Sequence, residues 1–115
     1  MNSCFHDTAA AARFTDEKMN KVNLYESPHL FCDVYCLLPG QSQKAHSHAG
    51  NDKIYHVLSG RCTVQIGTDS RPLTAGHLAV APAGEVHGVH NDTNEPATLL
   101  VVMAPNPTKQ SRAES

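Results

Sequence analysis

The chain has 115 residues, enough for one domain and too few for a second core of independent stability. Hydrophobic residues make up 40% of the chain and charged residues 17%, a balance that fits a folded globular domain and excludes a disordered or collagen-like chain. Nine basic and eleven acidic side chains give a formal charge of −2, so no basic field exists that would hold a nucleic acid or an anionic membrane.

The first segment, residues 1–20, is predicted to be an N-terminal arm. Thr8 to Asn20 has a helix-favouring composition but no clean apolar stripe, so we expect a short helix or an irregular arm there. No apolar run in this segment is long enough for a signal peptide, and no window of the chain approaches the roughly eighteen apolar residues of a membrane span. The expectation is therefore a cytoplasmic protein.

Residues 21–105 are predicted to form the main domain, and residues 106–115 a flexible tail. His29–Leu38 alternates, and its wholly apolar face, which runs from Leu30 to Leu38 through the even-numbered positions, is expected to be buried. A hairpin of residues 54–58 and 61–66 follows, and then a turn over residues 67–70. The remaining predicted strands are Leu78–Ala81, Val86–His90 and Ala97–Ala104. Six or more short strands with almost no helix predict an all-β antiparallel sandwich or barrel of the jelly-roll type.

The four cysteines are expected to be reduced thiols, because the chain shows no secretory signal. Cys32 and Cys36 lie on one predicted strand, about 13 Å apart at roughly 3.3 Å per residue, which is too far for a disulfide between them. We expect small buried apolar side chains. The four are Cys4, Cys32, Cys36 and Cys62.

Three of the eight histidines are candidate metal ligands. On a strand, His46 and His48 would point to the same face with their Cα atoms roughly 6.5 to 7 Å apart, a span that two imidazoles can close onto one ion. His87 follows at the start of a predicted strand, and alternation turns His90 to the opposite face. Because histidine is the commonest metal ligand in proteins, His87 is the candidate third ligand. His56 is expected to point away from the cavity, and His77 to be a turn residue.

Two segments resemble the paired motifs of the cupin superfamily, in its small single-domain form. The first, GQSQKAHSHAGNDKIYHVLSG (residues 40–60), matches at both glycines and both histidines, and the second, GHLAVAPAGEVHGVHN (residues 76–91), matches at every defined position. The resemblance implies a conical β-barrel, also described as a double-stranded β-helix or jelly roll. It also implies a divalent transition metal held by His46, His48 and His87, and frequent homodimers.

One position departs from the cupin pattern. Cupins usually place a glutamate where this chain has Lys53, and a protonated ammonium cannot bind a cation. Three interpretations are open. In the first, the three histidines hold the ion, and Lys53, its pKa lowered by burial and by the ion, acts as a proton carrier or a clamp for an anion. In the second, Asp52 replaces the glutamate after a one-residue slip. In the third, the metal is weak or absent and the barrel is a binding module.

The resemblance is compatible with several metals and several classes of reaction. Three imidazoles with open positions suit iron, zinc, nickel, manganese or copper, and an ion that keeps its full charge favours anionic or enolate-like chelators. By analogy with cupins, the leading expectation is a three-histidine dioxygenase acting on a small oxygen-rich molecule, followed by an isomerase or decarboxylase. Lys53 and Tyr55, which share one face of a strand, are the candidate catalytic residues. The alternative is a non-catalytic module that binds a small ligand or a metal.

Overall fold

Residues 3–107 of the chain are described by a computed structural model. In this part of the chain one turn of helix, α1 (Thr8–Ala11), precedes nine strands. The strands are β1 (Asn20–Ser27), β2 (Leu30–Leu37), β3 (Ser42–His46), β4 (Asp52–Ser59), β5 (Arg61–Ile66), β6 (Asp69–Thr74), β7 (Leu78–Ala81), β8 (His87–His90) and β9 (Ala97–Ala104). Of the predicted tail, residues 108–115 lie outside the described residues.

The strands form two sheets that enclose one core. The first sheet has the order β1-β2-β9-β4-β7 and the second β3-β8-β5-β6, and every pairing is antiparallel. The core cluster draws Tyr55 and Leu99 from the first sheet and Cys62, Val64 and Val89 from the second. The predicted all-β jelly roll is therefore confirmed.

The turn between β5 and β6 is shorter than predicted. The expected turn over residues 67–70 contracts to Gly67 and Thr68, and β6 begins at Asp69 in spite of Pro72. β6 lies at the edge of the second sheet, so the missing N–H of Pro72 can face away from the ladder at little cost. A strand that contains proline and few apolar residues gives a weak signal in sequence.

The even-numbered face of β2 is buried as predicted at Val34 and Cys36, and it is half-buried at Leu30, Cys32 and Leu38. The even-numbered face that runs from Leu30 to Leu38 looks outward, and the inward residues are Phe31, Asp33, Tyr35 and Leu37, each at most 1% exposed. Because Asp33 and Tyr35 carry polar groups, apolar alternation does not identify this face as the inward one. Inside the barrel, however, Asp33 Oδ1 accepts a hydrogen bond from Asn23 Nδ2 (2.8 Å), which offsets part of the cost of burying a carboxylate.

The outer face of β2 is covered as well, in part by the N-terminal arm. The backbone N–H of Arg13 donates to Cys36 Sγ (3.4 Å), and Cys36 is fully buried. The arm is tied down further by Gln41 Nε2, which donates to the carbonyl of Thr15 (2.7 Å). All four cysteines are free thiols. Cys36 and Cys62 are buried as predicted and Cys32 is half-buried, but the prediction is wrong for Cys4, which is exposed because it lies in the arm ahead of α1. Among residues 3–107, no helix has the length and apolar character that crossing a membrane requires.

Candidate metal centre

The pairing of β3 with β8 brings two of the three candidate histidines together. His46 is the last residue of β3, His87 is the first residue of β8, and the two lie opposite each other in the ladder. His48 lies in the loop after β3, and not on the strand as its spacing from His46 suggested. The ring centroid of His46 lies 4.9 Å from that of His48 and 4.5 Å from that of His87, and the centroids of His48 and His87 are 5.6 Å apart. The fold therefore gathers all three imidazoles.

The geometry of these rings fits one metal ion. One nitrogen from each ring lies within 4.8 Å of those of the other two, and the three Nε2 atoms are buried. Three atoms so spaced have a common centre within roughly 2.8 Å of each, and small rotations reach the about 2.0–2.1 Å of a zinc–imidazole bond. His48 and His87 are 7% and 2% exposed, while His46 is half-buried.

Backbone carbonyls orient two of the rings. His46 Nδ1 lies 2.8 Å from the carbonyl oxygen of Lys44, and His87 Nδ1 lies 3.0 Å from that of Glu85. A carbonyl oxygen only accepts, so each Nδ1 carries the proton and each Nε2 keeps its lone pair. Metal-binding histidines are typically held in this way through their other ring nitrogen.

His87 has the clearest features of a metal ligand. Its Nε2 is buried and has no hydrogen-bond partner among the described residues. Burial, followed by the charge of Lys53, lowers the pKa of His87 to about 4, so the ring is neutral at ordinary pH. A neutral imidazole with a buried lone pair is the form that binds a metal, and the donor set therefore fits a divalent transition ion.

Lys53 lies inside the barrel, next to this cluster. It is fully buried on the inward face of β4, and its Nζ donates to Gln43 Oε1 (3.1 Å). Its Nζ also lies 4.8 Å from the ring centroid of Tyr55 and 5.3 Å from that of Tyr35. Burial and the charge of Lys21 lower the pKa of Lys53 well below 10.5, and the carboxylate of Asp33 opposes this shift.

Tyr55 shares the hydrogen-bond acceptor of Lys53. Its hydroxyl donates to the same Gln43 Oε1 (3.1 Å), and its ring centroid lies 6.1 Å from that of His87. Burial raises the pKa of Tyr55 well above 10, so the phenol stays neutral. One amide oxygen thus holds an amine and a hydroxyl beside the histidine cluster.

Sequence reasoning missed Gln43. Gln43 and His46 are three residues apart on β3, so strict alternation would put them on opposite faces. A register shift between them turns both inward. A β-bulge of this kind is not visible in the hydrophobic pattern, because β3 consists mostly of polar and small residues.

The other candidates lie outside the cluster. Asp52 is exposed, and its Oδ1 accepts a hydrogen bond from the backbone N–H of Ala83 (2.9 Å), so the interpretation that makes it a ligand gains no support. His90 is exposed on the outer face of β8. His77 is a turn residue whose Nδ1 accepts from the backbone N–H of Thr74 (3.0 Å), and His56 is half-buried on the outer face of β4.

Fold and site together define the class of protein: a one-domain antiparallel β-barrel with a three-histidine group that can hold a metal. The family model described as "Cupin domain" matches residues 33–103, and the chain belongs to this family. The predicted resemblance is thereby confirmed.

The chain is also similar in sequence to other bacterial proteins. The chain is 32% identical over 72 residues to an uncharacterized protein of Streptomyces coelicolor, covering 63% of this chain and 67% of that protein. It is 28% identical over 85 residues to a protein of Thermotoga maritima named oxalate-binding protein, covering 74% of this chain and 69% of that one.

Solved structures give the same architecture. The crystal structure of TT1209 from Thermus thermophilus is similar with a TM-score of 0.88 and 46% identity, covering 90% of this chain and 98% of that one. KdgF from Halomonas sp. has a TM-score of 0.80 at 20% identity, covering 96% of this chain and 99% of that one, a likeness of fold alone.

Proposed function

We propose that the protein is a metal-dependent cupin that binds a small oxygen-rich organic anion beside His46, His48 and His87 and turns it over. One arrangement carries the proposal: the imidazole nitrogens gather in a buried cluster, and the buried amine of Lys53 lies on the neighbouring wall of the same barrel. A cation held by neutral ligands keeps its full charge, and an amine next to it adds hydrogen-bond donors. Both favour an anion.

A divalent ion bound to the three imidazoles would polarise the oxygen atoms of a chelating anion, and a redox-active ion such as iron would supply the electron transfer that oxygen-dependent cleavage requires. The leading reaction class is that of a three-histidine dioxygenase, followed by isomerisation or decarboxylation. This ranking rests on analogy with the ligand sets of cupins.

The chain's own residues would position the anion and transfer protons. Lys53 keeps N–H bonds in both of its protonation states, so it can donate to an oxygen of the anion in either. Its lowered pKa brings the amine closer to the range in which proton transfer is efficient near neutral pH. Gln43 holds the Lys53 amine and the Tyr55 hydroxyl in place, and Tyr55 stays a neutral donor. Since His46 is the most exposed of the three histidines, the anion would approach from its side.

Non-catalytic binding of the same kind of anion is the second candidate function. The Thermotoga maritima relative favours it, because that protein is named for binding oxalate and is 28% identical to this chain over 85 residues. Oxalate is therefore the appropriate probe for both candidates.

The test is isothermal titration of oxalate into protein loaded in turn with iron, zinc, nickel, manganese or copper. Lys53→Met removes the amine and keeps the length of the side chain, and Lys44→Met, on the exposed face of β3, is the matched control. We expect Lys53→Met to weaken oxalate binding about tenfold or more, because hydrogen bonds to charged groups contribute about 1.5–3 kcal/mol. Lys44→Met should bind as the wild type does.

Two results would overturn the anion-binding proposal: no oxalate binding with any of the five metals, or equal binding by the wild type and Lys53→Met. Oxygen uptake and mass spectrometry on a panel of small carboxylates and enolisable acids then separate the two candidates. Chemical change of a panel member that the Lys53→Met variant fails to produce supports an enzyme, and unchanged ligands support a binding module.

A further inference from the structure

Two loops carry or flank the candidate ligands, and they touch each other. The first, residues 47–51 between β3 and β4, contains His48. The second, residues 82–86 between β7 and β8, leads directly into His87. β4 and β7 are paired up to Lys53 and Ala81, so the two loops leave the first sheet side by side.

Two successive N–H groups of the second loop donate hydrogen bonds toward the first, one to Asp52 at the start of β4 and one to His48 in the first loop. The backbone N–H of Ala83 donates to Asp52 Oδ1 (2.9 Å), and the backbone N–H of the next residue, Gly84, donates to the carbonyl of His48 (2.8 Å). Gly84 has φ +88°, a left-handed conformation that favours glycine, in the turn that is closed by the hydrogen bond from the Glu85 N–H to the carbonyl of Pro82 (3.0 Å). The Asp52 carboxylate therefore binds the N–H of Ala83, and the N–H of the next residue, Gly84, binds the main chain of His48.

The segment around Asp52 is also anchored from the other side. Asn51 Nδ2 donates to the carbonyl of Pro105 (2.6 Å), just past β9, and Asp52 itself pairs with Ala104. The backbone of Asp52 is thus held by β9 and by the neighbouring Asn51 contact, although its side chain is exposed.

We propose that Asp52 is a positioning residue of the metal centre: its carboxylate clamps the loop before His87 to the loop that carries His48, and so sets the distance between these two ligands. The proposal rests on the proposed three-histidine centre. Asp52 acts through Ala83 and Gly84 and does not contact the ion. It matters most for His48, which lies outside any strand, whereas His46 and His87 are held by the β3–β8 ladder.

The test uses three variants of the full chain and two measurements. Asp52→Ala removes the acceptor, Asp52→Asn keeps an oxygen that can accept from Ala83, and Asp69→Ala removes an exposed aspartate that pairs with Arg71, away from the site. Zinc affinity is measured by competition with a chromophoric chelator. Hydrogen exchange of the Gly84 amide is measured in metal-free protein by NMR.

We expect Asp52→Ala to weaken zinc binding about 10- to 100-fold, the usual effect of losing a group that orients a ligand, and to speed exchange of the Gly84 amide about tenfold or more. Asp52→Asn should stay within about threefold of the wild type in both measurements, as should Asp69→Ala.

Other outcomes overturn the clamp in distinguishable ways. Equal losses of zinc affinity in Asp52→Ala and Asp52→Asn would make Asp52 a direct ligand. Unchanged zinc affinity in Asp52→Ala, with only a lower melting temperature of the metal-free protein, would make its role purely structural. If the wild type binds no zinc, the proposed metal centre is rejected. The exchange rate of the Gly84 amide still tests the clamp in that case, and an unchanged rate in Asp52→Ala would reject the clamp as well.

Discussion

Lys53 is the residue whose placement most needs an explanation. A fully buried lysine costs several kcal/mol unless its charge or its hydrogen bonds are compensated. Gln43 Oε1 accepts a hydrogen bond from it, the rings of Tyr35 and Tyr55 flank it, and Asp33 favours its charged form. A buried amine beside three imidazoles is the kind of placement that supports the proposed role of Lys53 in anion binding.

The buried amine predicts how stability depends on pH. Because burial lowers the pKa of Lys53 well below 10.5, the unfolded chain keeps this proton over a pH range in which the folded chain has released it. The free energy of unfolding therefore gains a contribution that rises with pH from the folded-state pKa of Lys53 up to about 10.5. Below that range the cost of burying the charged amine is largest.

Urea denaturation of metal-free protein between pH 7 and pH 10 measures this contribution. The wild type should gain stability relative to Lys53→Met as the pH rises, while Lys44→Met, which removes an exposed lysine, should follow the wild type. Parallel pH profiles for the wild type and Lys53→Met would show that the amine is not buried as described.

At the scale of elements, the sequence predicts the positions of strands better than it predicts their faces. β5, β7 and β9 have the predicted bounds, because each is flanked by clear turn residues. Alternation gives the period of a strand but not which face lines the core: both faces of β2 contain fully buried residues, and the core cluster takes the face that carries Tyr35. The register shift in β3 could not be predicted, since it depends on the contact of β3 with β8.

Gly88 provides a test of that contact. A Cβ atom at Gly88 would lie 3.0 Å from the Cα of Ala45 and 3.0 Å from the carbonyl oxygen of Gln43, so β3 must move outward to admit it. We expect Gly88→Ala to lower the free energy of unfolding by about 1–3 kcal/mol, as overpacking does, and to weaken metal binding, because β3 carries His46.

For stability the control is Gly50→Ala, since Gly50 has open space around its Cβ position and no left-handed backbone. For metal affinity the reference is the wild type, because Gly50 lies in the loop that carries His48. Urea denaturation measures the stability, and chelator competition measures the metal affinity. A Gly88→Ala variant as stable as Gly50→Ala and with the metal affinity of the wild type would show that the β3–β8 approach does not set the site.

At the scale of the whole molecule, the site depends on how the barrel closes. His48 and His87 are far apart in the chain, and only the pairing of β3 with β8 and the contact of two loops bring them together. From sequence, the three histidines could be predicted to form one site, because of their spacing and the resemblance to cupins. Gln43 and Asp33 could not, because their roles arise from contacts between strands that no local pattern records.

The homodimer expected from sequence remains a prediction, and the surface of the first sheet offers a place for it. Leu78 and Val80 on the edge strand β7 are 52% and 50% exposed, and edge strands with apolar side chains favour self-association. Sedimentation velocity at micromolar concentration should give the mass of two chains. The double variant Leu78→Glu, Val80→Glu should sediment as one chain, and a wild type that is itself monomeric would contradict the prediction.

The metal content of freshly purified protein tests the central claim most directly. Elemental analysis of the wild type, with divalent ions added back where needed, should approach one transition-metal ion per chain. His87→Ala should lose the ion, while His90→Ala, altered on the outer face of the same strand, should match the wild type. Less than about 0.2 ion per chain in the wild type after reloading, or equal losses in the two variants, would contradict a three-histidine centre.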